Sequence, residues 1–588
     1  MANMGVMRRV ERAIVGLLLT VALAGLAWTG RSQELAVSTG ETGRSGGRIV
    51  IARRAEPKTL NPIGAIDVGS REILSLTMAD LVHIDRSSFE PGPALAEAWT
   101  ISGDRKRYTL RLRRGVRFSD GHPFDADDVL FTFRVHLDEK IRSPQRELLI
   151  IRGRPIDVRK VDSLTVAVDL ATPQPVAERI FDSIGILPRH LLEKSYLDGS
   201  LASRWGLTTP PSQMAGLGPF RLKEYVPGQH VTLERNPYYW KVDRSATRLP
   251  YLAEIVFTFA GSEDGQVLRF LSGEADLIDG LSPDNFAAIA RGDRAHGYRV
   301  QDVGPGFEYT FLLFNQNDTG LQATPSIRRS GDWFRRVAFR QAVSTAIDRD
   351  AIVRLVYQGK ATPLWAHVTP GNSRWVSREA PHAPYSTERG RELLRAAGFS
   401  WNPAHALVDP SNNEVAFSIL TSAGNSQRQQ IATLIQDDLK RLGIKVSVVP
   451  LDFRAMVDRV FTTYQYEAAV MTLASGDADP NSEMNVWTTN GSSHLWNLTG
   501  KAAAPWETEI DELMRLQQVS LDYAERKRLY DRVQQLVALN LPMVCLVSPH
   551  VLIGASARIR NLRPSLLRPY VLGNADEVFV NHAAQGGR

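Results

Sequence analysis

The stretch from Tyr108 to Phe133, YTLRLRRGVRFSDGHPFDADDVLFTF, contains the pattern of a strand, a pair of turns and a helix start in direct succession. Apolar and polar residues alternate over its first six positions, which is the period of a strand with one buried face. Gly115 and the pair Asp120-Gly121 then supply turns. Asp125 is placed to cap a helix whose first turn carries two acidic residues, where the helix dipole favours negative charge. The stretch therefore predicts a strand that leads through turns into a helix.

Strand and helix patterns continue to alternate on the C-terminal side of this stretch. VTLERN from Val231 and EIVFTFA from Glu254 are typical of strands, and FRQAVSTAI from Phe339 is typical of a helix. IATLIQDDLKRLG from Ile431 is an amphipathic helix pattern that ends at Gly443, and the strand pattern IKVSVVPL follows it. This alternation predicts an α/β protein with mixed sheets.

The composition is that of an ordinary globular protein. The chain has 588 residues, of which 43% are hydrophobic, enough for two to four domains at about 150 residues each. The formal net charge is +6, and half of it comes from four arginines and one glutamate that precede residue 34. The rest of the chain is too weakly basic to indicate a nucleic-acid partner.

The N-terminus predicts export. Arginines at positions 8, 9 and 12 precede an apolar run from Ala13 to Trp28 that ends in small residues, which is the order of a signal peptide over residues 1–33. An uncleaved membrane anchor is the alternative, because the run approaches the length that spans a bilayer. The one cysteine, Cys545, lies far from this region, so we expect neither a lipoprotein nor an internal disulfide. The Gly/Ser/Thr-rich residues 34–47 predict a flexible leader.

Catalytic and metal-binding motifs are not found in the sequence. It contains no HExxH or GxxxxGK[ST] pattern and no GxSxG nucleophile elbow, and its twelve histidines show no HxH or HxxxH spacing. For a single histidine such as His122 or His494 we expect a surface or core role. The sequence therefore predicts no catalytic residue, no metal site and no cofactor, and an exported enzyme remains a remote alternative.

One acidic loop differs from the other carboxylate pairs. SGDADPNS, which contains Ser475, Gly476, Asp477 and Asp479, directly follows the apolar strand pattern EAAVMTLA. Carboxylates at the end of a buried strand are well placed to line a cleft, where a low dielectric strengthens their attraction for a cation. The alternative is a capped turn in which Asp477 binds nearby backbone amides.

Several segments together resemble a known family. LAEAWTIS at Leu95–Ser102 and the stretch at Tyr108–Phe133 are the most specific, and further matches are GLGPFRLKEYVPGQHVTLERNPYYW, FLLFNQN, FRQAVSTAIDRDAIV and LLRAAGF. They resemble the bacterial extracellular solute-binding proteins of family 5, which include the oligopeptide-, dipeptide- and nickel-binding proteins of ABC importers. The resemblance extends over about residues 46–581.

The resemblance implies a two-lobed periplasmic-binding-protein fold of type II, in the large peptide-binding subclass, with an extra inserted domain. We expect lobe one to consist of residues 48–82, 208–303 and 545–588, the inserted small domain of residues 83–207, and lobe two of residues 304–544. Such a protein closes by a hinge on its ligand and presents the closed form to a membrane permease.

The resemblance also implies a ligand site. In peptide-binding members an aspartate at the position of Asp477 neutralises the ligand's α-ammonium, and a tryptophan lies three residues earlier, where this chain has Ala474. In the dipeptide binder an arginine upstream of the helix holds the ligand's carboxylate, whereas here Arg428 falls later, at the helix start. We therefore expect Ser475, Gly476, Asp477, Asp479 and Arg428 to contact the ligand.

These features favour an oligopeptide or a related small solute over a strict dipeptide. The implied protein is a periplasmic monomer that delivers its ligand to the permease and ATPase of an ABC importer. An oligosaccharide or a metal chelate is the alternative ligand within the family, and a sensory role of the closed form is a further possibility.

Overall fold

The computed structural model of this chain describes residues 34–182, 184–317 and 323–581; the predicted signal peptide lies outside them. The strands of the described residues are β1 (Ala36–Val37), β2 (Arg48–Arg53), β3 (Val82–Ile84), β4 (Pro91–Pro93), β5 (Ala96–Ile101), β6 (Arg107–Leu112), β7 (Ile150–Ile151), β8 (Arg154–Pro155), β9 (Asp157–Asp162), β10 (Thr165–Asp169), β11 (Phe220–Val226), β12 (His230–Arg235), β13 (Lys241–Val242), β14 (Glu254–Phe259), β15 (Leu277–Asp279), β16 (Tyr298–Pro305), β17 (Glu308–Phe314), β18 (Ala361–Pro363), β19 (Ser400–Trp401), β20 (Leu407–Val408), β21 (Ala416–Ser422), β22 (Lys445–Leu451), β23 (Ala468–Ala474), β24 (Met543–Ser556), β25 (Ile559–Arg560) and β26 (Phe579–Val580).

The α-helices of the same residues are α1 (Val68–Thr77), α2 (Ala126–Leu137), α3 (Glu178–Asp182), α4 (Arg189–Leu197), α5 (Glu263–Leu271), α6 (Pro283–His296), α7 (Pro325–Phe334), α8 (Val337–Ala346), α9 (Arg349–Leu355), α10 (Thr387–Ala396), α11 (Ser426–Arg441), α12 (Phe453–Val457), α13 (Met484–Trp487), α14 (Pro505–Val519) and α15 (Tyr523–Asn540).

The strand, turn and helix predicted at Tyr108–Phe133 are β6, the loop after it and α2. The alternate apolar residues of β6 are buried, and Gly121 has a φ of +92°, which its missing side chain permits. The Asp125 carboxylate accepts a hydrogen bond from the amide of Asp127 at 2.8 Å, and the Asp128 carboxylate accepts from the amide of Asp125 at 3.1 Å. This reciprocal capping box fixes where α2 begins.

An antiparallel four-stranded sheet, in the order β5-β6-β10-β9, forms a unit of its own within residues 96–169. Helix α2 packs against it, and aromatic side chains such as Tyr108, Phe118 and Phe133 fill the core between them. We call this unit the inserted domain.

A larger mixed sheet runs through the rest of the molecule in the order β11-β12-β14-β2-β15-β24-β17-β23-β21-β22, with β16 and β18 also paired to β24. We call the half containing β2, β11, β12, β14, β15 and β16 lobe one, and the half containing β17, β21, β22 and β23 lobe two. Each half has its own apolar core. The predicted α/β class with a mixed sheet is confirmed.

Strand β24 belongs to both lobes. Its first residues pair with β17 in lobe two, and its last residues pair with β15 and β16 in lobe one. The chain also crosses between the lobes where β16 ends at Pro305 and β17 begins at Glu308. The limits 304 and 544 given for lobe two in the sequence analysis stay predictions.

Residues 34–47 differ from the predicted flexible leader. Strand β1 pairs in parallel with β13, the amide of Ser38 donates to the carbonyl of Val242 at 2.8 Å, and the amide of Gly46 donates to that of Tyr251 at 2.7 Å. The segment thus covers an exposed strand edge whose backbone groups would otherwise be unpaired, an interaction that a Gly/Ser/Thr-rich composition does not reveal.

Candidate functional site

The loop after β23, in lobe two, faces α3, whose Phe181 belongs to the core of the inserted domain, and we call the space between them the cleft. Arg179 on α3 donates from Nη1 to Oδ1 of Asp477, and from Nη2 to the carbonyl oxygen of Phe89 at 2.6 Å. The amide of Ala478 donates to the same Oδ1 at 2.6 Å. Burial raises the pKa of the Asp477 carboxyl, and the Arg179 guanidinium acts against this. The carboxylate predicted to bind the ligand therefore has a cationic partner on the other side of the cleft.

Asp479 has a different environment from Asp477. Its Oδ2 and Oδ1 accept from Nη1 and Nη2 of Arg526 at 2.9 and 2.8 Å, and the two side chains are 3% and 5% exposed. The guanidinium of Arg526 also lies 5.1 Å from the ring centre of Trp375. Since both carboxylate oxygens are used inside lobe two, the structure places Asp479 in a buried ion pair rather than at the surface of the cleft.

Ser475 and Gly476 shape the loop that carries Asp477. The amide of Ser475 donates to the carbonyl of Phe307 at 3.1 Å, and its Oγ donates to the carbonyl of Asp477 at 2.9 Å. Gly476 is exposed, and a side chain there would point into open space. Both residues thus lie in the loop that carries Asp477, and their contact with a ligand stays a prediction.

Arg428 lies in the first turn of α11, whose N-cap is Asn425. Its Nε donates to Oγ1 of Thr472 at 3.3 Å, so it adjoins β23 just before the Asp477 loop. Burial lowers the pKa of the Arg428 guanidinium, and the nearby Tyr357 and Glu308 raise it. The structure thus brings Arg428 to the same end of the lobe two sheet as Ser475 and Asp477.

A second group of charges near the cleft was missed by the sequence analysis. Glu308, the first residue of β17, accepts at Oε1 from Nη2 of Arg568 at 3.0 Å and from the hydroxyl of Tyr570 at 2.9 Å. The C-terminal segment that follows β24 supplies both partners. Glu308 and Arg568 are about 260 residues apart in the sequence, and neither lies in a recognisable motif.

Lobe one contributes a third charged group. Arg53, the last residue of β2, donates from Nε to Glu72 at 2.7 Å and from Nη1 to Asp279 at 3.2 Å. Burial would lower the pKa of the Arg53 guanidinium, but Asp279 and Glu72 raise it above its usual range. An arginine directly after an apolar strand pattern was the signal that could have identified this group.

Apolar side chains and a further ion pair also join the two sides of the cleft. The rings of Phe89 and Phe307 lie 5.2 Å apart, and Ala478 and Leu567 belong to the same cluster. Arg374 of lobe two pairs with Glu90, which follows Phe89 in the chain. The two sides are therefore in direct contact near the Asp477 loop.

Asp80, His83 and Asp182 have ligand atoms within 4.8 Å of one another, and among the described residues this is the group that could hold a metal ion. A guanidinium nitrogen of Arg86 lies 3.8 Å from Asp182, and the amide of Ile84 donates to Asp182 at 2.7 Å. The Arg86 guanidinium and the Ile84 amide thus already balance part of the negative charge of Asp182.

Within residues 34–182, 184–317 and 323–581, no helix has the length and apolar composition needed to cross a membrane.

Residues 90–494 match the sequence profile described as "Bacterial extracellular solute-binding proteins, family 5 Middle". A protein of Deinococcus radiodurans named "Probable ABC transporter-binding protein" is 27% identical over 541 residues, which cover 88% of this chain and 89% of the relative.

Solved structures share the fold. The oligopeptide-binding protein AppA from Bacillus subtilis, in complex with a nonapeptide, has a TM-score of 0.72 and 21% identity, covering 92% of this chain and all of the other. The periplasmic binding protein MelB from Agrobacterium fabrum, in complex with stachyose, has a TM-score of 0.73 and 22% identity, covering 93% of this chain and 86% of the other. The two-lobed type II binding-protein fold expected from the sequence is confirmed. The chain therefore belongs to family 5 of the bacterial extracellular solute-binding proteins.

Proposed function

We propose that this chain is the periplasmic binding component of an ABC importer, and that it encloses an oligopeptide or a related polar solute between its lobes and delivers it to a permease and ATPase. The observation that carries the proposal is the meeting of groups from both sides of one cleft at the Asp477 loop. Names of relatives such as "Oligopeptide-binding protein AppA" and "Probable ABC transporter-binding protein" support it.

Closure of the cleft is the physical basis of this function. The lobes are connected through β24 and the β16–β17 junction, which allow one lobe to rotate on the other. A ligand favours the closed form by the difference between its affinities for the closed and open forms. The chain is not proposed to change its ligand chemically, since the cleft residues described above are held in ion pairs and turns.

Ligand-dependent closure tests the proposal directly. We expect pools of tri- to hexapeptides to bind with saturable heat in calorimetry and to decrease the radius of gyration in small-angle scattering. Mass spectrometry of solutes that co-purify with the protein would identify the natural ligand. Scattering profiles that are the same with and without peptides, sugars and nickel chelates would contradict a closing receptor.

Asp477 is proposed to bind an ammonium group of the ligand through Oδ2. The hydrogen bonds from Arg179 and Ala478 both end on Oδ1, and within the described residues Oδ2 accepts none. Asp477→Asn removes the negative charge at constant size, so we expect peptides with a free amino group to bind about 1.5–3 kcal/mol more weakly.

The matched control for this variant is Asp437→Asn, which changes an exposed aspartate of the same lobe. Its peptide affinity, measured in the same calorimetric titration, is expected to equal that of the wild-type protein. Equal affinities of Asp477→Asn and the wild-type protein would remove Asp477 from the ligand site.

A non-peptide solute is the second candidate, and two observations favour it. Arg179 already neutralises Asp477, and Ala474 stands where peptide-binding members have a tryptophan. Relatives include a "Periplasmic alpha-galactoside-binding protein" of Rhizobium meliloti. Tighter binding of an oligosaccharide than of any peptide pool would favour this candidate.

A further inference from the structure

Lobe two contains a small pocket directly behind the Asp477 loop. Its cavity volume is about 10 Å³, which is room for about one water-sized group. The lining residues that matter for its chemistry are Phe307, His367, Asn372, Ser475, Glu483 and Tyr530. The pocket therefore adjoins the Asp477 loop and shares Ser475 with it.

His367 presents a hydrogen-bond acceptor in this pocket. The Tyr530 hydroxyl donates to Oε2 of Glu483 at 3.0 Å, so its oxygen accepts from Nε2 of His367, also at 3.0 Å. Nε2 thus carries the ring proton and Nδ1 keeps its lone pair. His367 is fully buried, and its Nδ1 has no hydrogen-bond partner. Burial lowers the pKa of the imidazole to about 3, so the ring is neutral at physiological pH.

Asn372 presents a second acceptor. Its Nδ2 donates to the carbonyl of Ala478 at 2.8 Å, which fixes the orientation of the amide. Its Oδ1 is buried and has no partner. An acceptor that is desolvated and unpaired costs about 1–3 kcal/mol, and two of them line one pocket that is open on one side. The pocket is therefore complementary to a donor.

Glu483 adds a buried carboxyl, and burial raises its pKa, whereas the hydrogen bonds that it accepts act against this. Its Oε2 accepts from the indole of Trp487 at 3.0 Å and from the Tyr530 hydroxyl, which are neutral donors. Among the described residues no lysine or arginine lies within 4 Å of this buried carboxylate, whereas the neighbouring Asp479 is paired with Arg526. A cation in the pocket would supply the missing countercharge.

We propose that this pocket is a binding site for a primary ammonium group of the transported solute, with His367 Nδ1 and Asn372 Oδ1 as acceptors and Glu483 as the countercharge. The inference rests on the proposed function, because it names a chemical group of the solute. A primary ammonium carries several N–H donors on a small head, which suits two acceptors in a space of this size. A neutral hydroxyl satisfies the acceptors but not the charge.

Methylammonium chloride tests the site in the wild-type protein without knowledge of the natural ligand. In protein labelled with ¹⁵N at histidine, methylammonium is expected to shift the His367 ring resonance, assigned with His367→Gln, in a saturable way. Tetramethylammonium has the same charge but no N–H donor, and it is expected to leave the resonance unchanged. Methanol tests whether a neutral donor suffices, and we expect it to bind at least tenfold more weakly than methylammonium.

Glu483→Gln removes the charge and keeps an oxygen for the Trp487 and Tyr530 donors, and we expect it to weaken methylammonium binding roughly ten- to hundredfold. Glu507→Gln is the matched control, because Glu507 is also buried in lobe two and accepts from an indole, that of Trp496 at 3.0 Å. Near-UV circular dichroism checks that both variants fold.

No saturable shift with methylammonium, an equal shift with tetramethylammonium, or unchanged affinity in a folded Glu483→Gln variant would each overturn the proposal. These outcomes are independent of the proposed function, which fails on a different result, the absence of cleft closure with any solute.

Discussion

Replacing Asp479 by alanine is expected to lower the free energy of unfolding of lobe two by about 3–5 kcal/mol, because the change leaves the charge of Arg526 buried without its partner. The two side chains form a bidentate ion pair with 2.8 and 2.9 Å contacts and are almost completely buried. Urea denaturation followed by tryptophan fluorescence suits the measurement, since Trp375 packs against the Arg526 guanidinium.

The control for this prediction is an exposed ion pair in the same region. Arg528 and Glu525 lie 4.0 Å apart with side chains 76% and 49% exposed, so Arg528→Ala is expected to change the free energy of unfolding by less than about 1 kcal/mol. The double variant Asp479→Leu with Arg526→Met is expected to be more stable than Asp479→Ala, because it leaves no unpaired charge. A loss below about 1 kcal/mol for Asp479→Ala would contradict the prediction.

Acidification is expected to destabilise the protein through two buried histidines. Burial lowers the pKa of His136 to about 4 and that of His367 to about 3, whereas an unfolded histidine has a pKa near 6.5. Below about pH 6.5 the unfolded chain therefore binds protons that the folded chain does not. Stability is lost as the pH falls from about 6.5 towards the folded pKa values, by about 2 kcal/mol per histidine at pH 5.

The variant His136→Gln isolates one of these contributions. Between pH 7 and pH 5, its free energy of unfolding is expected to fall by about 2 kcal/mol less than that of the wild-type protein. Burial raises the pKa of the Asp128 carboxyl to about 6, so carboxyls of this kind oppose the effect of the histidines. Comparing His136→Gln with the wild-type protein removes their effect, because both proteins contain them. His405→Gln, at an exposed position, is expected to keep the wild-type pH dependence. Parallel pH profiles for His136→Gln and the wild-type protein would show that His136 is not buried in its neutral form.

Local patterns predicted much of the fold. The strand, turn and capped helix at Tyr108–Phe133 depend on neighbours within four residues, and such contacts are visible in a sequence. The same holds for β12, β14, α11 and β22. The family resemblance supplied the two-lobed arrangement, which no local pattern contains. Residues 34–47 were predicted as a leader because their composition is flexible, and the pairing of β1 with β13 depends on an edge about 200 residues away.

The candidate site was predicted less completely, and the reason is sequence distance. The loop with Ser475, Gly476 and Asp477 was recognised because it follows an apolar strand. The partners of its two aspartates were not, since Arg179 is 298 residues from Asp477 and Arg526 is 47 from Asp479. Which of two similar aspartates lies at the cleft, and which is buried, follows from these distant arginines.

The sharing of β24 between the lobes has a consequence for how the chain reaches its final state. Lobe one begins with β2 near the N-terminus, yet the neighbours of β15 and β16 in its sheet include the last half of β24, near residue 556. The sheet of lobe one is incomplete until almost the whole polypeptide has been synthesised. Contacts between such distant segments form slowly, so a nascent chain remains without its complete first lobe for most of its synthesis.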